Sequence, residues 1–152
     1  MKVRTLSIVS CLACSILVAV VPTFAERESK AAKLRVRVVE LRSAKGHVSC
    51  RLFDGPEGYP LQAAKAKQVL FCPIEGRVGT CRFAPTPRGV YALACFHDEN
   101  DNRMLDTNWL GIPTEGTVAS NHATALVGPP SFESARFKLE RDALTLTLRI
   151  DY

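Results

Sequence analysis

This chain predicts an all-β fold, a single β-sandwich of about seven strands, and three observations carry that expectation. Short runs of alternating apolar and polar residues recur along it, clearest at residues 34–38 and 144–152. Turn-forming clusters such as Asp54-Gly55-Pro56-Glu57-Gly58-Tyr59-Pro60 and Pro85-Thr86-Pro87-Arg88-Gly89 separate those runs. There is no internal repeat and no low-complexity tract, so the strands belong to one unit rather than an array.

The first 25 residues stand apart. Lys2 and Arg4 precede an apolar run from Leu6 to Val21, and Thr23-Phe24-Ala25 offers small residues at the −3 and −1 positions of a cleavage site. This is the pattern of a secretory signal peptide. Ser7, Ser10, Ser15 and the immediate Pro22 argue against a retained membrane anchor. Ile8-Val9-Ser10-Cys11 only loosely matches a lipoprotein box, since its cysteine lies inside the apolar region. Residues 26–33 read as a flexible leader and 34–152 as the single domain, with no transmembrane segment once the signal is removed.

Removing 25 of 152 residues leaves 127, enough for one domain with its own core. The signal takes two of the 20 basic residues and none of the 15 acids, leaving a mild excess of 18 over 15. No basic run is interleaved with aromatics, which argues against nucleic acid as a partner. The destination expected is the periplasm or the exterior. Cys11 and Cys14 leave with the signal, and Cys50, Cys72, Cys81 and Cys95 remain. An even number in an exported chain implies two disulfides, with three connectivities open, and no CxxC spacing suggests zinc or redox chemistry.

Along the domain, Leu34, Val36 and Val38 alternate with Arg35 and Arg37 as a half-buried strand, and residues 47–53 form a second, with Val48, Cys50 and Leu52 on one face. Residues 61–67 suit a helical turn or two. Residues 68–72 and 78–83 flank Glu75-Gly76 as a hairpin. Residues 90–96 are apolar on both faces, as a central strand is. Residues 110–130, punctuated by Gly111, Pro113, Gly116, Gly128, Pro129 and Pro130, form a long loop of the kind that is functional or pinned to an ion. Residues 136–139 and 144–152 then form a C-terminal hairpin about Arg141-Asp142. The last of these strands ends in an aromatic, as outer-membrane barrel strands do, but the others are too short for a barrel.

The chemistry-bearing segment is the run from Asp98 to Asp106. Calcium takes six to eight hard oxygens from alternate positions of a tight loop. Asp98, Asn100 and Asn102 occupy positions 1, 3 and 5, the Met104 carbonyl position 7, and Asp106 position 9. Arg103 stands where such loops carry glycine, and Trp109 where they carry a bidentate glutamate; Glu115 is the candidate to reach in from the next loop. With one ligand displaced, the expected affinity is weak, on the order of 0.1–1 mM. A solvated turn capped by Asp and Asn side chains is the alternative. His97 beside Asp98 also raises a metal-dependent hydrolase centred on His97, Asp98 and Glu115, although no GxSxG, HExxH or P-loop pattern is present and Ser120 and His122 complete no triad. A carbohydrate-binding module is weaker still, with Trp109 the one tryptophan.

Pro87-Arg88-Gly89-Val90-Tyr91-Ala92, His97-Asp98-Glu99-Asn100, Leu105-Asp106-Thr107-Asn108, Gly111-Ile112-Pro113-Thr114-Glu115-Gly116, Ser120-Asn121 and Gly128-Pro129-Pro130-Ser131-Phe132 occur in that order. This series resembles the exported bacterial family called domain of unknown function 2141, over about residues 34–152. The resemblance implies an immunoglobulin-like, transthyretin-like sandwich in the bacterial envelope and leaves the biochemical role open. Such proteins usually carry glycine at the position of Arg103 and asparagine at that of His122. They often pair cysteines matching Cys50 and Cys81, which implies Cys50–Cys81 with Cys72–Cys95; Cys72–Cys81 with Cys50–Cys95 is the local alternative. The expected function is a non-enzymatic binding or envelope-structural module with a calcium-ordered loop and an envelope or extracellular partner.

Overall fold

The computed structural model describes residues 31–152; the signal segment and the leader up to residue 30 lie outside them. Two β-sheets make up most of the described chain. One is a four-stranded sheet containing β1 (Lys33–Val39), β4 (Ile74–Glu75), β5 (Val78–Arg82) and β9 (Ala143–Arg149), in the order β4-β5-β1-β9. The other holds β2 (His47–Phe53), β3 (Gln68–Cys72), β6 (Gly89–Asp98) and β7 (Thr117–Ala119) in the order β3-β2-β6-β7, with β8 (Phe137–Leu139) pairing β6 beyond that path. β1 and β9 run parallel, and the other pairings are antiparallel.

Alternation decides what each strand buries. In β1, Leu34, Val36 and Val38 point into the core and Lys33, Arg35 and Arg37 into water. From the opposite sheet, Val48, Cys50 and Leu52 of β2 and Tyr91, Leu93 and Cys95 of β6 meet them. This shared core makes the pair of sheets a sandwich. β6 is buried on its other face as well. There Ala92 joins Phe53, Ala119, Phe132 and Ala135 in a second cluster beneath the one-turn helix α1 (Phe132–Ala135). Ser120 fastens this cover: its hydroxyl donates to Ala135 O at 2.6 Å and accepts from Leu93 N at 2.8 Å. β6 is therefore apolar on both faces and central in its sheet, whereas the strictly alternating β9 lies at an edge.

Several expectations change. Nine strands are present among the described residues, the additional ones short. Residues 68–72 and 78–83 do not pair with one another: β3 pairs β2, the chain crosses at Pro73, and the hairpin is β4–β5 in the opposite sheet. β8 and β9 likewise part, one to β6 and one to β1, so the C-terminal hairpin does not form. Periodicity reports which residues face inward, not which strand lies alongside, and sandwich chains commonly cross between sheets. The stretch 110–130 is not all loop, since it contributes β7 and a 3₁₀ turn at Ser120–His122. The helical turn expected in residues 61–67 is a 3₁₀ turn at Ala63–Lys65. Ala32, just ahead of β1, is fully buried and bridges Thr86.

The disulfides are Cys50–Cys95 and Cys72–Cys81, not the Cys50–Cys81 and Cys72–Cys95 pairing that the family resemblance implied. Cys50 and Cys95 are directly opposed on β2 and β6, with Cα atoms 4.1 Å apart. Cys72 and Cys81 tie the end of β3 to β5, one sheet to the other.

Candidate functional site

The last two residues of β6 divide the chemistry of this end of the sandwich. Alternation sends His97 to the core face, beyond Cys95, and Asp98 to the outer face. His97 is fully buried and both its ring nitrogens are satisfied. Nε2 lies 2.9 Å from Lys45 O and Nδ1 2.6 Å from the Tyr152 hydroxyl, which accepts Arg42 N at 2.9 Å. The proton placement that satisfies every member has Nε2–H donating to Lys45 and the phenol donating to Nδ1. The Arg42 guanidinium lies over the Tyr152 ring, 4.4 Å from its centroid, and pairs with Glu99, which also accepts from Ser43 Oγ at 2.8 Å.

Asp98, also fully buried, is the hub of the acidic loop. Its Oδ1 accepts Asn102 N at 3.1 Å and its Oδ2 accepts Arg103 N at 2.6 Å. Accepting both amides curls the chain so tightly that Asp101 and Arg103 each adopt φ of 64°. Arg103 thus takes the left-handed conformation normally left to glycine, at the position where a calcium loop needs it. The sharp turn forms without the glycine.

Within the turn, the Asn100 and Asn102 amides donate to opposite oxygens of Asp106, at 2.6 and 2.9 Å. Their carbonyl oxygens accept Asn102 N and Met104 N. Glu115 is buried and closes the loop by accepting Glu99 N at 3.0 Å and Asp106 N at 3.1 Å. Of the expected set, Asn100, Asn102 and Asp106 therefore meet through their side chains, Asp98 holds the turn, Glu115 staples its two ends, and the Met104 side chain is exposed. His97, Asp98 and Glu115 do not converge as the hydrolase reading requires: His97 is spent on Lys45 and Tyr152, and Glu115 on two backbone amides.

Beyond Asp106 the chain forms a small hairpin. Thr114 N bonds Asp106 O, Asn108 N bonds Ile112 O, and Thr107 bridges Pro113. The Asn108 side chain accepts Leu110 N at 2.9 Å and Ile112 N at 3.0 Å, fixing the tip. That tip holds Trp109, 90% exposed, with Leu110 and Ile112 also exposed. His122 Nε2 accepts Arg149 N at 3.2 Å beside β9.

Sequence reasoning missed His47 and Asp101. His47 opens β2 directly opposite Asp98, its Nε2 3.1 Å from Asp98 Oδ2 and its Nδ1 2.5 Å from Asp101 Oδ1. Gly46 permits this approach: its φ is 63°, and a Cβ there would lie 1.8 Å from Asp98 O. The signal was only the polar His at the head of an apolar strand, and it becomes legible once the β2–β6 register is known.

The fold and this loop define a two-sheet, disulfide-linked β protein with an organised acidic turn. The model of a family described as an uncharacterised protein conserved in bacteria, domain of unknown function 2141, matches residues 36–147, and the chain belongs to that family. Neither the curated proteins nor the solved structures give a match to it. Among the described residues no helix is long and apolar enough to cross a membrane.

Proposed function

We propose that this is an exported, non-enzymatic binding module of the bacterial envelope, in which calcium steadies the acidic loop and the hairpin tip beside it meets the partner. One observation carries the reading: Trp109, Leu110 and Ile112 stand in water on a backbone pinned by Asn108 and joined to the acidic turn through Thr114 and Asp106. Apolar side chains held exposed on a fixed tip mark a contact surface, and Trp is enriched among residues that carry binding energy. The alternate oxygens of residues 98–106 and the left-handed Arg103 support calcium as the loop's ion. The two disulfides support the periplasm or the exterior as the compartment. The two sheets closed over one apolar core support an immunoglobulin-like, transthyretin-like arrangement of the sandwich.

Two measurements test this. Millimolar calcium raises the melting temperature of the full chain, and chelator reverses the rise; at tenfold excess over Kd the gain is about 1.4 kcal/mol. Asp106→Asn removes the response, and an undiminished response sinks the calcium assignment. Envelope extract passed over the immobilised chain yields a partner that the Trp109→Ala, Leu110→Ala double variant does not retain. Equal retention by both chains refutes the tip as the contact.

A further inference from the structure

His47, Asp98 and Asp101 bring one imidazole nitrogen and two carboxylate oxygens within 4.8 Å of one another on the outer face of the five-stranded sheet. We infer that these three residues form a site for a divalent transition metal of the zinc class. Of the calcium ligands it shares only Asp98, and it does not depend on calcium in the loop.

His47 keeps one buried ring nitrogen without a hydrogen bond. The residue is 9% exposed, and its Nε2 is buried without a hydrogen bond although Asp98 Oδ2 lies 3.1 Å away. Close approach without hydrogen-bond alignment is the geometry of two groups that share a third partner. Two atoms bound to one zinc at about 2.0–2.2 Å, with angles between square and tetrahedral, stand roughly 3–3.5 Å apart. Nε2 and Asp98 Oδ2 already hold that spacing. Asp101 lies 2.5 Å from the other ring nitrogen, Nδ1, and its largely exposed side chain would turn its carboxylate onto the ion as third ligand.

The surroundings supply the support a ligand pair needs. Arg103 N and Asn102 N fix the Asp98 carboxylate, and the Phe71 ring meets the His47 ring edge-on, 4.9 Å between centroids, setting its plane. Two carboxylates balance the charge of one dication. Imidazole selects zinc, cobalt, nickel or copper over calcium and magnesium, which prefer oxygen throughout.

The test uses the full chain stripped of metal, with zinc measured by calorimetry and cobalt by its visible absorption. One equivalent of zinc binds in the micromolar range, and cobalt gives a ligand-field band. His47→Gln and Asp101→Asn each weaken zinc at least tenfold; Asp101 is exposed, so its variant folds whatever His47→Gln does. Asp106→Asn keeps zinc binding while losing the calcium response, and Asp101→Asn does the reverse, so the two assignments fail separately. No zinc binding at tens of micromolar overturns the site. Binding that survives both His47→Gln and Asp101→Asn but disappears with His122→Gln also overturns it.

Discussion

His47 and His97 sit at the same end of the same sheet, on neighbouring strands, and their surroundings are opposite in kind. On the core face, His97 has a matched partner for each nitrogen, and the chain of bonds runs on through Tyr152, Arg42 and Glu99 without an orphan. On the outer face, His47 lies between two carboxylates and Nε2 makes no hydrogen bond. A buried polar network whose members are all satisfied contributes rigidity, while a partly satisfied one leaves capacity for a ligand. Burial alone does not separate the two histidines; the completeness of their hydrogen bonding does.

Asp98→Ala should have the largest effect, because this residue serves both the turn and His47. It strips partners from two backbone amides and removes the carboxylate 3.1 Å from the buried His47 Nε2, and should cost about 4 kcal/mol, read as a lowered urea midpoint. A loss below about 1 kcal/mol would mean that the turn holds itself. Next comes the paired test of the comparison. His97→Ala should cost about 3 kcal/mol through a core cavity and two lost bonds, and His47→Gln about 1 kcal/mol without metal. Equal losses would break the distinction between closed and open faces. Tyr152→Phe should then cost about 1 kcal/mol, since it removes one hydroxyl and leaves His97 Nδ1 and Arg42 N without it.

Why one face was legible in the sequence and the other was not follows from what periodicity encodes. Leu34, Val36 and Val38 announce β1 by alternation alone, and the both-faced apolarity of residues 90–96 marks β6 as central. The acidic turn was visible because its spacing is local: Asp98, Asn100, Asn102 and Asp106 lie within nine residues. The partners from outside that turn are a matter of register. His47 meets Asp98 across a strand pair, Tyr152 meets His97 from 55 residues away, and the disulfides join strands whose sheet membership alternation cannot assign. The same gap explains the failed hairpins, since β3 and β5 look adjacent in sequence and occupy different sheets.

The smallest expected effect is on pH dependence, and it asks what holds the closed network together. The Glu99 carboxyl is held below the ordinary carboxylate range, first by the hydrogen bond from Arg42 and then by Ser43, against an opposing push from burial. A carboxyl depressed in the folded state contributes stability above its unfolded value of 4.5, and that contribution is lost as pH falls through the lower folded value. Wild type should therefore exceed Glu99→Gln in melting temperature near neutral pH, and the gap should close as pH falls below about 4.5. Arg42 is half-exposed, so added salt at neutral pH should also narrow the gap. A gap that ignores both acid and salt would mean that the network is held by its neutral bonds, His97 to Tyr152 and Lys45, with Glu99 only decorating its rim.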